Sequence, residues 1–212
     1  MIGIFGGTFD PIHNGHCRIA LEICQLLDLD ELRFVPCGRP PHRAMPKASA
    51  EQRLAMVQLA IAGQPEFSID ERELRRDGPS YMVDTLSAIR SEEGDTPLCL
   101  ILGSDSFAGL SDWHHWRRLF ELAHLVIAHR PGKELQPEGE LLQWYQRTRC
   151  KDATSLRSRH AGCILPCPVT QLDISSSGIR SELAQGGNVR YLLPDDVWTY
   201  MRQQRLYMES GD

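Results

Sequence analysis

Three unbroken apolar runs constrain this chain more than any other feature: Met1 to Phe5 (MIGIF), Leu98 to Leu102 (LCLIL) and Leu125 to Ala128 (LVIA). A strand with one wet face alternates apolar and polar residues. A run without alternation suits a strand covered on both faces, as in a parallel sheet between layers of helices. The intervening segments agree. Leu32 to Pro36 (LRFVP) and Phe67 to Asp70 predict two more short strands, and helical patterns run over Asn14 to Leu27, over Ala50 to Ala62 and onward from Tyr81. Alternation of this kind predicts an α/β fold, Rossmann-like and doubly wound, with a mainly parallel sheet. Ser175 to Tyr207 reads as two helices broken by Gly186-Gly187 and by Pro194. The Pro- and Gly-rich stretches Pro36 to Pro46 and Arg130 to Gly139 read as irregular loops, not domain borders. Residues 1–212 are therefore expected to form one domain, with 175–212 as a C-terminal helical subregion.

The first strand runs into GGTFDPIHNGH, Gly6 to His16. Gly6 and Gly7 let backbone approach a ligand without interference from a Cβ, and Asp10-Pro11 punctuates the turn. The following helix aims its free amides and the positive end of its dipole at whatever sits above the strand, which suits an anion. His13 and His16 lie one helical turn apart, so both can reach one phosphoryl group. Ligands gather beyond the carboxyl ends of parallel strands near the switch in strand order, and the Gly6-Gly7 turn is expected there. A metal pair, a helix cap and plain surface histidines are the competing readings of His13 and His16; H-x-x-H without further ligands is weak evidence for a metal.

Composition narrows the class. Lys plus Arg number 23 against 28 Asp plus Glu, and the net charge of −5 argues against broad nucleic-acid binding. No apolar stretch approaches the roughly 18 residues of a membrane helix, and no signal-peptide pattern precedes the first strand, so a cytoplasmic protein is expected. The seven cysteines include no C-x-x-C, which indicates neither a disulfide framework nor a zinc ribbon. Cys163 and Cys167 invite a metal reading, but no matching pair accompanies them.

A second motif, ISSSGIRSEL at Ile174 to Leu183, combines hydroxyls able to cap a helix with Arg180 in its first turns. Such a helix start could hold phosphate oxygens, the guanidinium offering a planar fork of donors; a plain cap with a solvated arginine is the alternative.

Together, GGTFDPIHNGH and ISSSGIR resemble the nucleotidyltransferase superfamily that carries (H/T)xGH and ISSTxIR signatures. Within it, the chain resembles the bacterial nicotinate-nucleotide adenylyltransferase family over nearly its whole length. VPCGRPPHR (35–43), RDGPSYMVDTL (76–86), LILGSDSF (100–107), DWHHW (112–116) and HRPG (129–132) support that subfamily in order. The resemblance implies transfer of AMP from ATP to nicotinate mononucleotide with Mg²⁺, giving deamido-NAD and pyrophosphate. It implies that His13 and His16 contact ATP phosphates and stabilise the transition state, neither as nucleophile. Backbone at Gly6, Gly7, Thr8 and Phe9 is expected to hold the triphosphate, Gly103 and Asp105 the ribose, and Ser177 with Arg180 the β,γ-phosphates. Trp113 is expected to stack on the pyridine ring, and backbone amides at Thr85 and His114 to recognise the nicotinate carboxylate.

Two positions depart from the family pattern. Ser177 replaces the usual threonine and keeps the hydroxyl; Gly38 stands where some relatives carry an asparagine near the substrate. Asp105 also reads as a helix N-cap, Trp113 and Trp116 as core, and Arg39, His42 and Arg43 as a basic loop that either closes over phosphates or stays solvated.

Rival readings are a transferase for nicotinamide mononucleotide or phosphopantetheine, a dinucleotide-binding oxidoreductase or non-catalytic nucleotide sensor, and a class I aminoacyl-tRNA synthetase fragment. G-x-G-x-x-G is absent after the first strand, G-x-x-x-x-G-K-[ST] is absent throughout, and the late motif has no lysine-rich signature. Oligomeric state, a homo-oligomer included, is left open.

Overall fold

The computed structural model describes residues 1–41, 44–132 and 135–208. In chain order its principal elements begin β1 (Ile2–Gly7), α1 (Asn14–Leu27), β2 (Glu31–Pro36), α2 (Ala50–Ile61), β3 (Phe67–Ile69), α3 (Arg72–Arg75) and α4 (Met82–Glu93). They continue with β4 (Leu98–Gly103), α5 (Ser104–Ala108), α6 (Leu119–Leu122), β5 (His124–His129), α7 (Gly139–Thr148), α8 (Thr154–Arg157), β6 (Ile164–Pro168), α9 (Ser176–Ala184) and α10 (Asp195–Gln203). Six strands form one sheet in the order β3-β2-β1-β4-β5-β6, and every pairing is parallel. The chain winds outward from β1 to β3, then returns to β4 on the other side of β1. The order therefore switches between β1 and β4, directly above the glycine turn.

The unbroken apolar runs are strands covered on both faces, as their patterning requires. Along β1 and β4 the side chains divide between two cores. Phe5, Cys99 and Ile101 join Ile23, Met56, Ile179 and Val197 on the face covered by α1, α2, α9 and α10. Ile4, Leu98 and Leu100 join Val83, Leu86, Ile89 and Phe107 on the face covered by α4 and α5. The C-terminal helices thus bury their apolar sides in the same core as α1, which brings the late motif to the mouth of β1.

β6 went unrecognised in the sequence because Pro166 and Pro168 interrupt it. It is one of the two edge strands, paired along its length with β5 and bridged on its outer side only at Ile164, to Arg149, among the described residues. The Cys163 carbonyl accepts from Leu125 N and Val169 N donates to the His129 carbonyl, so odd-numbered positions face β5. Both prolines hold even positions, where the missing N–H would point away from the sheet, as an edge strand tolerates. Cys163 and Cys167 are buried in the core. Among the described residues no three His, Cys, Asp or Glu side chains cluster as metal ligands, and no helix is long and apolar enough to cross a membrane.

Leu100 is fully buried at the centre of β4, between Ile4 and Leu125. Leu100→Ala should lower unfolding free energy by about 2–5 kcal/mol, read from the urea midpoint at an unchanged slope.

Candidate active site

β1 ends on glycines where neighbouring side chains close over the backbone. A Cβ on Gly6 would stand 2.5 Å from Met82 Cε, and one on Gly7 would stand 2.8 Å from the Phe9 ring. Phe9 takes a left-handed backbone, φ 51°, unusual for a bulky residue. That turn buries its ring edge-on to His16, with centroids 5.2 Å apart, and against Phe5 and Phe34. The aromatic cushion sets the height of the histidines.

His13 precedes the first turn of α1, and His16 lies within it. Their rings stack with centroids 3.7 Å apart and 27° between planes. The His13 backbone N–H donates to His16 Nδ1 at 3.3 Å. An accepting Nδ1 leaves the proton of a neutral imidazole on Nε2, so His16 presents an N–H donor from its far edge. His13 Nδ1 is buried without a partner among the described residues. Burial lowers the His13 pKa to about 4, and burial reinforced by the neighbouring His13 holds His16 well below the ordinary value. Both rings are therefore neutral donors at neutral pH, and an arriving anion would push their pKa values back up.

The late helix meets this loop directly. Arg180 Nη1 donates to the Asp10 carbonyl at 2.6 Å across 170 positions of sequence, and Ser176 Oγ donates to the Pro11 carbonyl at 2.9 Å. Ser175 caps α9 by accepting from Gly178 N at 3.1 Å, while the exposed Ser177 places its hydroxyl 3.2 Å from that of Ser175. Thr8, Phe9, His13, His16, Ser177 and Arg180 thus gather at one mouth. Gly103 and Asp105 lie beside it: Ile4 pairs with Leu100, so β1 and β4 reach Gly7 and Gly103 at one level. Nothing stands within 4 Å of a Cβ position on Gly103. The capping reading of Asp105 is corrected: Gly103 is the N-cap of α5 and Asp105 sits exposed in its first turn.

The expected acceptor residues are brought together less completely. Trp113 is half-buried against the same cluster as Tyr81 and Met82, and the exposed His114 lies with its ring 4.3 Å from Tyr81. Thr85, by contrast, is fully buried. Its amide donates to the Tyr81 carbonyl at 3.3 Å and its hydroxyl to Glu73 Oε1 at 2.6 Å. Trp116 is core. Gly38 has no room for any side chain, since a Cβ would stand 2.2 Å from the Glu73 carbonyl oxygen. Its amide and that of Arg39 instead donate to Ser80 Oγ. His42 and Arg43, expected in a basic loop with Arg39, lie outside the described residues.

Three functional neighbours escaped the sequence reading. Arg53 is 1% exposed, and Nη1 donates to the Thr8 and Cys37 carbonyls at 2.8 and 2.7 Å, joining the loop after β1 to the loop after β2. Its signal was present: Arg53, Met56 and Val57 occupy one helical face, a charge on an apolar stripe. Asp10, read as turn punctuation, is buried and accepts from Lys47 N, Ala48 N and the Tyr207 hydroxyl. Glu73, on a four-residue helix, offered no periodicity from which to read it, and burial pushes its carboxyl pKa up.

His13 carries a pH-dependence of stability. Its folded pKa of about 4 lies below the unfolded value near 6.5, so the unfolded chain binds the proton first. The contribution is complete above pH 6.5 and is lost as pH falls toward 4. Between pH 7.5 and 4.5, His13→Gln should lose less unfolding free energy than the wild type, by roughly 2–3 kcal/mol, measured by chemical denaturation.

Comparison with known proteins agrees with this geometry. A family profile described as cytidylyltransferase-like matches residues 4–182. A Methylococcus capsulatus protein described as "Probable nicotinate-nucleotide adenylyltransferase" is 50% identical over 208 residues, covering 98% of this chain and 99% of the relative. A Halorhodospira halophila protein of the same description is 52% identical over 196 residues, covering 92% and 90%. The crystal structure of Plasmodium falciparum nicotinic acid mononucleotide adenylyltransferase complexed with NaAD shares the fold at TM-score 0.74 and 18% identity, covering 97% of this chain and 96% of that one. The chain belongs to the cytidylyltransferase-like family and groups there with the nicotinate-nucleotide adenylyltransferases.

Proposed function

We propose that this chain transfers the adenylyl group of ATP to nicotinate mononucleotide, releasing pyrophosphate and forming deamido-NAD, a step of NAD biosynthesis. Relatives at about half identity over nearly the full length support the activity. The junction of the histidine loop with the serine–arginine helix above the strand-order switch supports the site assignment. We take residues 1–212 as one catalytic unit, acting in the cytoplasm.

A 5′-phosphate oxygen of the acceptor attacks the α-phosphorus of ATP, and the bond to the bridging oxygen of pyrophosphate breaks. The attacking group is already anionic, so no protein base is needed. Catalysis is positioning, together with donors where charge accumulates. The N–H groups of His13 and His16 hold the phosphoryl oxygens. Backbone at Gly6, Gly7, Thr8 and Phe9 and the amides opening α1 cradle the triphosphate. Ser177 and Arg180 receive the β,γ-phosphates as they depart, and Gly103 and Asp105 hold the ribose. ATP enters as its Mg²⁺ complex. A Mg²⁺ ion held mainly by phosphate oxygens and water would need no dedicated cage of carboxylates. The cation offsets charge on the polyphosphate.

The pyridine ring stacks on Trp113, and its carboxylate meets the amides at the start of α4 and at His114. Thr85 is closed off by Tyr81 and Glu73 in this conformation, so the free first-turn amides of Met82 and Val83 precede it in line for the anion. An amide in place of the carboxylate would leave such donors poorly paired, which favours the acid.

Purified protein with MgATP, offered nicotinate mononucleotide, nicotinamide mononucleotide or phosphopantetheine in turn, should release pyrophosphate fastest with the first. No release with any of the three would refute the assignment. His16→Ala should lower kcat by about 10²–10³-fold, by analogy with loss of one preorganised oxyanion donor; an unchanged rate removes His16 from the reaction.

A further inference from the structure

The last described residues of the chain reach into the site. Tyr207 follows the end of α10, anchored beside the buried Leu206, and its hydroxyl donates to Asp10 Oδ1 at 2.7 Å. Ala48 N donates to that same oxygen at 3.0 Å, and Lys47 N to Oδ2 at 2.9 Å. Three donors therefore share one buried carboxylate. Beside it lies Arg180, whose Nη1 stands 3.7 Å from Asp10 Oδ2 and spends its short bond on the Asp10 main-chain carbonyl at 2.6 Å.

That spacing is informative. An arginine next to an unoccupied carboxylate closes into two short parallel bonds. Where both partners are largely shielded elsewhere in this chain the pair closes, Arg72 standing 2.7 Å from Asp70 and Arg33 2.7 Å from Glu93, whereas the loose pairs, Arg130 with Asp173 at 3.6 Å and Arg190 with Asp195 at 4.0 Å, involve exposed carboxylates. Arg180 does not close on Asp10, although both are partly or wholly shielded from water. A two-bond pair needs a free lone pair on each oxygen, and both of those on Oδ1 already accept, from Tyr207 and Ala48, while Oδ2 accepts from Lys47. The buried Arg53 lies close enough to Asp10 and Tyr207 to add to the charge offsetting the carboxylate.

We propose that Tyr207 is a positioning residue for the ATP side of the reaction: by donating to Asp10 it keeps Arg180 loosely held and available to the polyphosphate. The proposal rests on the reading of Arg180 as a polyphosphate ligand. Burial and the adjacent carboxylate push the Tyr207 phenol well above its ordinary pKa, so it remains a donor at neutral pH. Without the hydroxyl, Asp10 Oδ1 has a free lone pair and Arg180 can swing into a two-bond pair. ATP must then break that pair before it can bind. The acceptor side, on α4 and the 113–115 segment, is not touched by this change.

Four proteins test this: wild type, Tyr207→Phe, Arg180→Ala and the double variant. MgATP affinity is measured by calorimetry, KM for nicotinate mononucleotide by steady-state kinetics, and folding by thermal melting. Tyr207→Phe keeps the ring and its packing. It should weaken ATP binding about 3- to 10-fold, the worth of one hydrogen bond, and leave the acceptor KM within about twofold. In the Arg180→Ala background the same substitution should have no further effect on ATP, whereas a merely structural role would weaken binding equally in both. Equal effects in the two backgrounds, or unchanged ATP affinity in Tyr207→Phe while Arg180→Ala weakens it, would overturn the role of Tyr207. Unchanged ATP affinity in Arg180→Ala would instead overturn the reading of Arg180 itself.

Discussion

One guanidinium contact sets the register of the site. Arg180 comes from a helix near the end of the chain and donates to a carbonyl in the loop that follows the first strand. Through that bond and the neighbouring Ser176 to Pro11 contact, α9 is fixed against the turn that starts α1. Two helix N-termini then open at one mouth, each with unpaired amides and the positive end of its dipole. Neither could do this alone, because a parallel sheet leaves its carboxyl edge open unless something docks there. The docking force is apolar: Ile179 and Leu183 of α9 and Val197 and Met201 of α10 enter the same core as Ile23 of α1. The polar contacts set the register of a surface that hydrophobic burial has already brought close.

What was legible in the sequence follows from which signals were local. The bounds of α1, from Asn14 to Leu27, were readable because its apolar positions repeat with helical period and glycine turns precede it. The three covered strands were readable because nothing but burial on both faces produces runs such as LCLIL. The two anion motifs were readable because glycines, serines and capping geometry act within a few residues. β6 was hidden because its two prolines are acceptable only on an outer edge, a fact of sheet position that no local pattern states. Glu73 and Asp10 were hidden for a related reason. A buried carboxylate is identified by its donors, and those come from Thr85, 12 positions on from Glu73, and from Tyr207, 197 positions on from Asp10.

The candidate acceptor side shows the same limit. His114 lies against Tyr81 and Trp113 packs on the cluster that Tyr81 also touches, yet Thr85 is turned inward onto Glu73. Sequence order places Thr85 near the start of α4. Only the fold reveals that a short helix, α3, lies behind it and occupies its hydroxyl. Gly38 is settled by the same neighbour, since the Glu73 main chain leaves no space for a side chain there.

The electrostatics of the site follow from what is buried in it. A cluster of charged imidazoles would repel itself, but burial keeps His13 and His16 neutral. The fixed positive charge belongs to arginine, which does not titrate in this range. Arg53 is buried, which ordinarily costs several kcal/mol for an ion, and among the described residues no carboxylate pairs with it directly. Instead its charge is spread over the carbonyls of Thr8 and Cys37, with Nε left without a partner among the described residues. Such an arrangement is tolerable because each carbonyl has spare lone pairs. A carboxylate partner in the same place would stabilise Arg53 more and attract a polyphosphate less.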